Sequence, residues 1–261
     1  MTMRQHHESA WTPVTLLLFT CCALGCDRRT GTLRTTTEAS SSAPAFVSAG
    51  PSQPVDRSRY GAIVVLGSST AAGIGPKNPE NAWVSRYHAH LSAHFPNVTL
   101  LNLAVGGQTT FEIQPTGYVP PPNRPTPVEG KNITAALAFH PRAIIVNLPS
   151  NDQANNYPIS EQLANYDRIA SLADAAHVPL WVSTPQPRNF TDSAQLESLM
   201  RVRDALAKKF APRTLDFWTP FATREGLIKA IYNAGDGTHL NDAAHALLVD
   251  IVESARIPER F

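Results

Sequence analysis

The feature that most constrains the fold is a regular alternation, after residue 60, between short apolar runs and longer amphipathic segments. The apolar runs are rich in β-branched residues and predict strands at 62–66, 98–105, 143–148, 178–184 and 214–218. The amphipathic segments predict helices near 82–94, 132–139, 160–176, 193–210 and 242–255. Nearly continuous apolar strands are typical of a parallel sheet that is covered on both faces. We therefore expect an α/β protein, a three-layer α/β/α sandwich around a five-stranded, mainly parallel sheet.

Reactive groups in such sheets lie at the carboxyl ends of strands. The first predicted strand leads directly into Gly67, Ser68 and Ser69. This segment does not fit the glycine-rich motifs of dinucleotide or phosphate sites, and Ala71 replaces the second glycine of the G-x-S-x-G elbow. What remains is a serine on a turn between strand and helix, which is suited either to cap the helix or to act as a nucleophile.

Two further strand ends carry glycine or amide residues. Gly106 and Gly107 follow the second strand, where they form a simple turn or let backbone N–H groups point into a site. Asn151 follows the third strand, where its side chain caps a turn or donates to an oxyanion.

Asp236 and His239 lie three residues apart before the last predicted helix. At this spacing the carboxylate can reach the imidazole Nδ1–H, which fixes the tautomer and leaves Nε2 free to accept a proton. The same residues are also compatible with an Asp-Gly turn that carries an incidental histidine.

Taken together, in this order and spacing, the four segments resemble the conserved blocks of the SGNH (GDSL-type) hydrolases, over about residues 61–252. The resemblance implies the flavodoxin-like SGNH hydrolase fold. It also implies a catalytic triad of Ser69, Asp236 and His239, with Ser69 as the nucleophile. The backbone N–H groups of Ser69 and Gly107 and the side chain of Asn151 would form the oxyanion hole. The chemistry of this family requires neither a metal nor an organic cofactor, so we expect none.

The chain departs from the family pattern at two positions. Many members have aspartate where this chain has Ser68, so two adjacent serines compete for the role of nucleophile. Ser69 occupies the family's serine position and is the assignment we adopt. The block around Asn151 usually begins with glycine, and Pro149 stands there in this chain.

The composition narrows the chemistry further. The chain has 22 Lys and Arg against 21 Asp and Glu, a net charge of +1, so no charge field favours a nucleic-acid partner. Its three cysteines all lie at or before Cys26, which excludes a cysteine nucleophile or thiolate metal site in the main domain. The charge balance leaves small neutral or weakly charged substrates open, and the resemblance to the SGNH hydrolases implies that the substrate is a small-molecule or glycan ester.

The N-terminal part indicates export. Residues 1–26 have the apolar core of a signal peptide, and the segment that ends at Cys26 resembles a bacterial lipobox. Lipidation of Cys26 would attach the protein to a membrane, whereas simple cleavage would release it to the periplasm or the medium; an uncleaved anchor is the third alternative. Residues 27–57 are rich in Ser, Thr and Pro and are expected to be a disordered linker before a hydrolase domain at 58–261.

The expected function is hydrolysis of a carboxylic ester, with a carbohydrate acetyl ester as one candidate, and lipase or thioesterase activity in the same fold is fully compatible with the motifs. The alternative is a non-catalytic carbohydrate- or envelope-binding lipoprotein on the same scaffold. The Asp–His pair argues for the enzyme, because a binding protein does not need it. The proline-rich segment 114–127 either lines the substrate cleft through Tyr118 and Arg124 or crosses the surface without a chemical role. The sequence does not indicate an oligomeric state.

Overall fold

The computed structural model describes residues 61–260. The strands are β1 (Gly61–Gly67), β2 (Val98–Asn102), β3 (Ala143–Asn147), β4 (Leu180–Ser183) and β5 (Thr214–Leu215). The helices are α1 (Trp83–His94), α2 (Ile133–Ala138), α3 (Asn151–Ala154), α4 (Ile159–Ala175), α5 (Ser193–Phe210) and α6 (Asp242–Ser254). The predicted signal peptide, Cys26 and the linker at 27–57 lie outside the described residues. Within 61–260, none of the helices combines the length and apolar character needed to span a membrane.

The five strands form one sheet in the order β2-β1-β3-β4-β5, and every neighbouring pair is parallel. The predicted α/β class and five-stranded sheet are confirmed, and the sheet is wholly parallel. In this order the chain passes from β1 to one side and then to the other, so the topological switch point lies between β1 and β3. Sites in open parallel sheets form at the carboxyl ends of the strands at such a point.

Alternate residues of the central strands face opposite layers, as the pleat of a strand requires. Ile63 and Val65 belong to a buried cluster with α1 and α6, whereas Val64 and Leu66 belong to a second cluster with α2, α4 and α5. This is the three-layer sandwich that the continuous apolar strands predict. The two clusters pack against opposite faces of the sheet, so the turns at its carboxyl edge follow strands that are buried on both sides.

The observed elements differ from the sequence prediction mainly at their ends. The second predicted strand reaches residue 105 but β2 ends at Asn102, whose side-chain amide donates to Ala71 O (2.8 Å) while its carbonyl accepts from Ala104 N (3.1 Å). The fifth ends early because Asp216 Oδ1 accepts from the backbone N–H groups of Trp218 and Thr219, at 3.0 Å each, and closes a turn. The short helix α3 was not predicted.

Candidate active site

The turn after β1 presents Ser69 and buries Ser68. Ser68 N donates to Asn147 O of β3 (3.1 Å), which extends the sheet by one residue, and Ile74 N then donates to Ser69 O (2.9 Å) to close the turn. Ser68 is fully buried, whereas 7% of the surface of Ser69 is exposed. Of the two adjacent serines, Ser69 is therefore the more accessible to a substrate.

Gly75 brings the end of this turn against the loop that carries His239. Its φ of +122° favours glycine, and a Cβ at this position would lie 2.1 Å from Leu240 O and 3.2 Å from His239 Cβ. The close approach excludes any side chain at Gly75, so the Ser69 turn and the His239 loop lie in direct contact.

Gln186 joins the same two segments through its side chain. Thr70 Oγ1 donates to Gln186 Oε1 (2.7 Å), and Gln186 Nε2 donates to Thr238 O (2.8 Å). Gln186 is 1% exposed; its hydrogen bond with Thr70 is buried, and the one with Thr238 is partly buried. No sequence motif indicates Gln186, although it lies just beyond the carboxyl end of β4, and the carboxyl ends of strands are where the other site residues are predicted.

Asp236 and His239 form the contact that their spacing predicts. His239 Nδ1 lies 2.5 Å from Asp236 Oδ2, and Asp236 Oδ1 accepts from the backbone N–H groups of Thr238 and His239, each at 2.8 Å. Partial burial acts to raise the pKa of Asp236, but these hydrogen bonds, above all those from His239, outweigh it and lower the pKa to about 2. The carboxylate is thus ionised at neutral pH, and it favours the neutral tautomer in which Nδ1 carries the proton and Nε2 is the acceptor.

The structure does not join all the triad candidates. Within the described residues no hydrogen bond connects Ser69 Oγ to His239 Nε2. Of the two contacts that a triad requires, the structure therefore contains the one between Asp236 and His239. Catalytic hydrogen bonds of this kind often tighten only when the substrate is bound. No group of three or more His, Cys, Asp or Glu side chains in 61–260 is arranged to hold a metal ion.

The glycine pair after β2 faces the nucleophile turn. A Cβ on Gly106 would lie 4.0 Å from Ser69 Cβ, and Gly107 has a φ of +88° with open space where its side chain would be. Within 61–260 the backbone N–H groups of Ser69 and Gly107 donate to no other group. Both donors are therefore available for an oxygen atom that binds above Ser69.

Asn151, the first residue of α3, is placed differently from these two donors. Its side-chain Nδ2 donates to Ser68 Oγ (2.6 Å) and to Gln108 O (2.8 Å), so both amide hydrogens are engaged. The side chain thereby ties the nucleophile turn to the glycine loop. Donation to an oxyanion requires Asn151 to exchange the Ser68 hydroxyl for the substrate oxygen.

Asp152 anchors the loop that contains Gly106, Gly107 and Thr110. Its carboxyl group is buried and accepts from Thr110 Oγ1 (2.6 Å) and from Thr110 N (3.1 Å). Burial raises the pKa of Asp152 to about 6, and the hydrogen bonds from Thr110 only partly offset it. The group anchors the loop that carries Gly107. Within the described residues its carboxyl oxygens make no hydrogen bond to Ser69 or His239.

The raised pKa of Asp152 predicts a pH dependence of stability. Between about pH 4 and pH 6 the unfolded chain has released this proton and the folded chain keeps it, so the group's contribution to the free energy of unfolding falls as pH rises. The loss should be about 3 kcal/mol, since one pKa unit corresponds to roughly 1.4 kcal/mol. Asp152→Asn lacks this titration. Urea unfolding from pH 4 to pH 7 should show the variant gaining stability relative to the wild type as pH rises; a difference that is constant with pH would contradict the assignment.

The two candidate contacts in the proline-rich segment 114–127 both pack on or beside α4. Arg124 Nε pairs with Glu161 Oε2 at 2.7 Å, and its guanidinium lies 4.3 Å from the Tyr157 ring centroid. The Tyr118 ring lies 4.4 Å from the guanidinium of Arg168. These contacts support the interpretation of this segment as a crossover that is fastened to α4.

Comparisons with known proteins agree with the fold. The profile of the GDSL-like lipase/acylhydrolase family matches residues 65–247. Similar solved structures include the psychrotrophic esterase EstA from a Pseudoalteromonas species, with 17% identity, 75% of this chain and 96% of that chain covered, and a TM-score of 0.53. A GDSL-like lipase from Bacteroides thetaiotaomicron has 16% identity, 82% and 94% coverage and a TM-score of 0.56. The acetyl xylan esterase AlAXEase has 13% identity, 74% and 98% coverage and a TM-score of 0.53. No curated protein sequence matches this chain.

Proposed function

The chain belongs to the GDSL-like lipase/acylhydrolase family, and on that premise we propose that it hydrolyses a carboxylic ester through Ser69, His239 and Asp236. The observation that carries the proposal is the ionised Asp236 bound to His239 on a loop that Gly75 and Gln186 hold against the Ser69 turn. A non-catalytic binding protein on this scaffold would have no use for an imidazole that a carboxylate orients.

The proposed reaction proceeds through an acyl-enzyme. His239 Nε2 takes the proton of Ser69 Oγ while Oγ attacks the ester carbonyl, and the Asp236 carboxylate stabilises the imidazolium that forms. The imidazolium then protonates the leaving alkoxide. In the second half His239 activates a water molecule, which releases the acid and restores Ser69.

Negative charge develops on the carbonyl oxygen during both halves of the reaction. The unengaged N–H groups of Ser69 and Gly107 are the first two donors to that oxygen. Asn151 becomes the third when its amide exchanges Ser68 Oγ for the oxyanion. Because the N–H groups of Ser69 and Gly107 belong to the backbone after β1 and β2, these two donors need little reorganisation as the charge forms.

A carbohydrate acetyl ester is the substrate we propose within this class. The similarity to an acetyl xylan esterase and the expected export of the chain support this choice. The test is hydrolysis by the purified protein of 4-nitrophenyl acetate, of the butyrate and octanoate esters and of acetylated xylan oligosaccharides. Turnover that falls with acyl length and is lost in His239→Ala would support the proposal. Binding of the oligosaccharides without turnover of any ester would favour the binding protein.

Gln186→Ala should lower turnover without unfolding the protein. Without the bridge from Thr70 to Thr238 the His239 loop loses its fixed distance from Ser69, and a misplacement of about 1 Å reduces rates by roughly 10²-fold. We expect kcat to fall about 10- to 100-fold, with a smaller change in KM.

The matched variants act on the other end of the same bridge. Thr70→Val removes the donor to Gln186 and should reproduce part of the loss, whereas Thr70→Ser keeps the hydroxyl and should retain turnover. Steady-state kinetics and thermal unfolding of the three variants provide the check. Full activity in Gln186→Ala would show that Gly75 and the loop backbone alone position His239.

A further inference from the structure

Arg188 lies on the segment that follows β4, between residues that are tied to the Asp236–His239 loop. Gln186 bonds to Thr238 on one side, and on the other Asn189 N donates to Gly237 O (2.8 Å). The Arg188 side chain extends from this anchored segment to Ser150, the residue before Asn151, where Nη1 lies 3.4 Å from Oγ. The guanidinium therefore reaches from the His239 side of the candidate site to the Asn151 side.

The charge of this side chain is not balanced by a direct partner. Within 61–260 no carboxylate lies within ion-pairing distance of Arg188, whereas Arg124, Arg201, Arg203 and Arg256 each pair with one. Asp236 acts on Arg188 electrostatically, but the oxygens of that carboxylate are already engaged by His239 and Thr238. Burial lowers the pKa of Arg188, while Asp236 acts in the opposite direction.

The hydrogen-bond donors of Arg188 are also largely unused. A guanidinium has five N–H donors, and this one makes a single long hydrogen bond and lies 4.9 Å from the centroid of the Phe190 ring. The side chain is only partly buried, so its remaining N–H donors are open to a ligand, and an anion would bind them more strongly than water does. Its planar fork matches a carboxylate or phosphate in two-point geometry.

We propose that Arg188 binds an anionic group of the substrate, so that the ester cleaved at Ser69 carries a carboxylate or a similar anion nearby. The inference rests on the proposed esterase function and narrows its substrate class; an O-acetylated sugar acid is one such ester. Arg188 then acts as a specificity residue, because it holds the anion while the ester carbonyl lies at Ser69.

The test compares esters that differ in charge and little else. One pair, 3-acetoxybenzoate and 3-acetoxybenzamide, places the anion on the alcohol side, and a second pair, phenyl hydrogen succinate and phenyl succinamate, places it on the acyl side. For each pair the ratio of kcat/KM for the anionic ester to that for the neutral one is measured in the wild type, Arg188→Met and Arg203→Met. Arg203 is the matched control, since it also lies 4.9 Å from an aromatic ring centroid, that of Trp218, but pairs with Asp204.

After the spontaneous hydrolysis of each ester at the assay pH is subtracted, we expect the wild-type ratio to favour the anionic ester of at least one pair by about 10- to 100-fold, the range of a hydrogen bond to a charged group. Arg188→Met should reduce that ratio at least 10-fold, and Arg203→Met should not change it. If Arg188→Met does not fold, Arg188→Gln carries the same expectation.

Equal ratios in all variants would overturn the role of Arg188 and leave the esterase proposal intact, provided that the neutral esters are hydrolysed. A wild type that hydrolyses none of the four esters and forms no phosphonate adduct at Ser69 would remove both.

Discussion

Ser69→Ala is expected to remove essentially all ester turnover and to leave the fold unchanged. Loss of the nucleophile in a serine triad lowers kcat by roughly 10³- to 10⁶-fold, with the remainder supplied by the oxyanion donors and binding. Ser69 Oγ makes no hydrogen bond within the described residues, so its removal leaves no buried group unpaired. Turnover of 4-nitrophenyl acetate and urea unfolding of the same preparation measure the two effects.

Ser68→Ala is the matched control for this prediction. The Ser68 hydroxyl is buried and accepts from Asn151, so its loss releases one amide hydrogen but removes no reacting atom. We expect its kcat/KM to stay within about tenfold of the wild type, since one neutral hydrogen bond contributes roughly 1 kcal/mol. The opposite pattern, with Ser69→Ala active and Ser68→Ala inactive, would assign the nucleophile to Ser68.

Asn151→Ala is expected to have the second largest effect. Loss of one side-chain donor to an oxyanion raises the barrier by about 3 kcal/mol, which lowers kcat about 10²- to 10³-fold. The interaction forms only in the transition state, so kcat and kcat/KM should fall by similar factors. Steady-state kinetics with acetate esters check this relation.

The structural role of Asn151 must be separated from its catalytic one. The side chain also ties Ser68 to Gln108, so its loss can loosen the glycine loop. Urea unfolding of Asn151→Ala reports that loss directly. A variant of unaltered stability with unchanged turnover would show that the N–H groups of Ser69 and Gly107 suffice for the oxyanion.

The fold could be predicted from the sequence because burial leaves a periodic signal. Apolar residues on both faces of β1 and β3 read as continuous runs, and the α/β alternation then limits the topology. The ends of β2 and β5 could not be predicted, because they depend on the side-chain hydrogen bonds of Asn102 and Asp216 with nearby backbone groups.

The candidate site was predictable only where its residues come in short local patterns. Asp236 and His239 are three residues apart, and their contact follows from that spacing. Gln186 and Thr70 are 116 residues apart, and no local pattern indicates that their side chains meet. Likewise, the hydroxyl of Ser68 accepts a hydrogen bond from the side-chain amide of Asn151 only because the sheet brings β1 and β3 together.

The measurement that tests the central claim most directly is reaction of the purified protein with a fluorophosphonate, followed by peptide mass spectrometry to locate the adduct. A serine hydroxyl is a weak nucleophile unless a neighbouring base activates it, so such a probe reports an activated serine. We expect a single adduct at Ser69 that is absent from His239→Ala. A folded protein that remains unlabelled while it binds the proposed oligosaccharides, or an adduct at Ser68, would contradict the assignment.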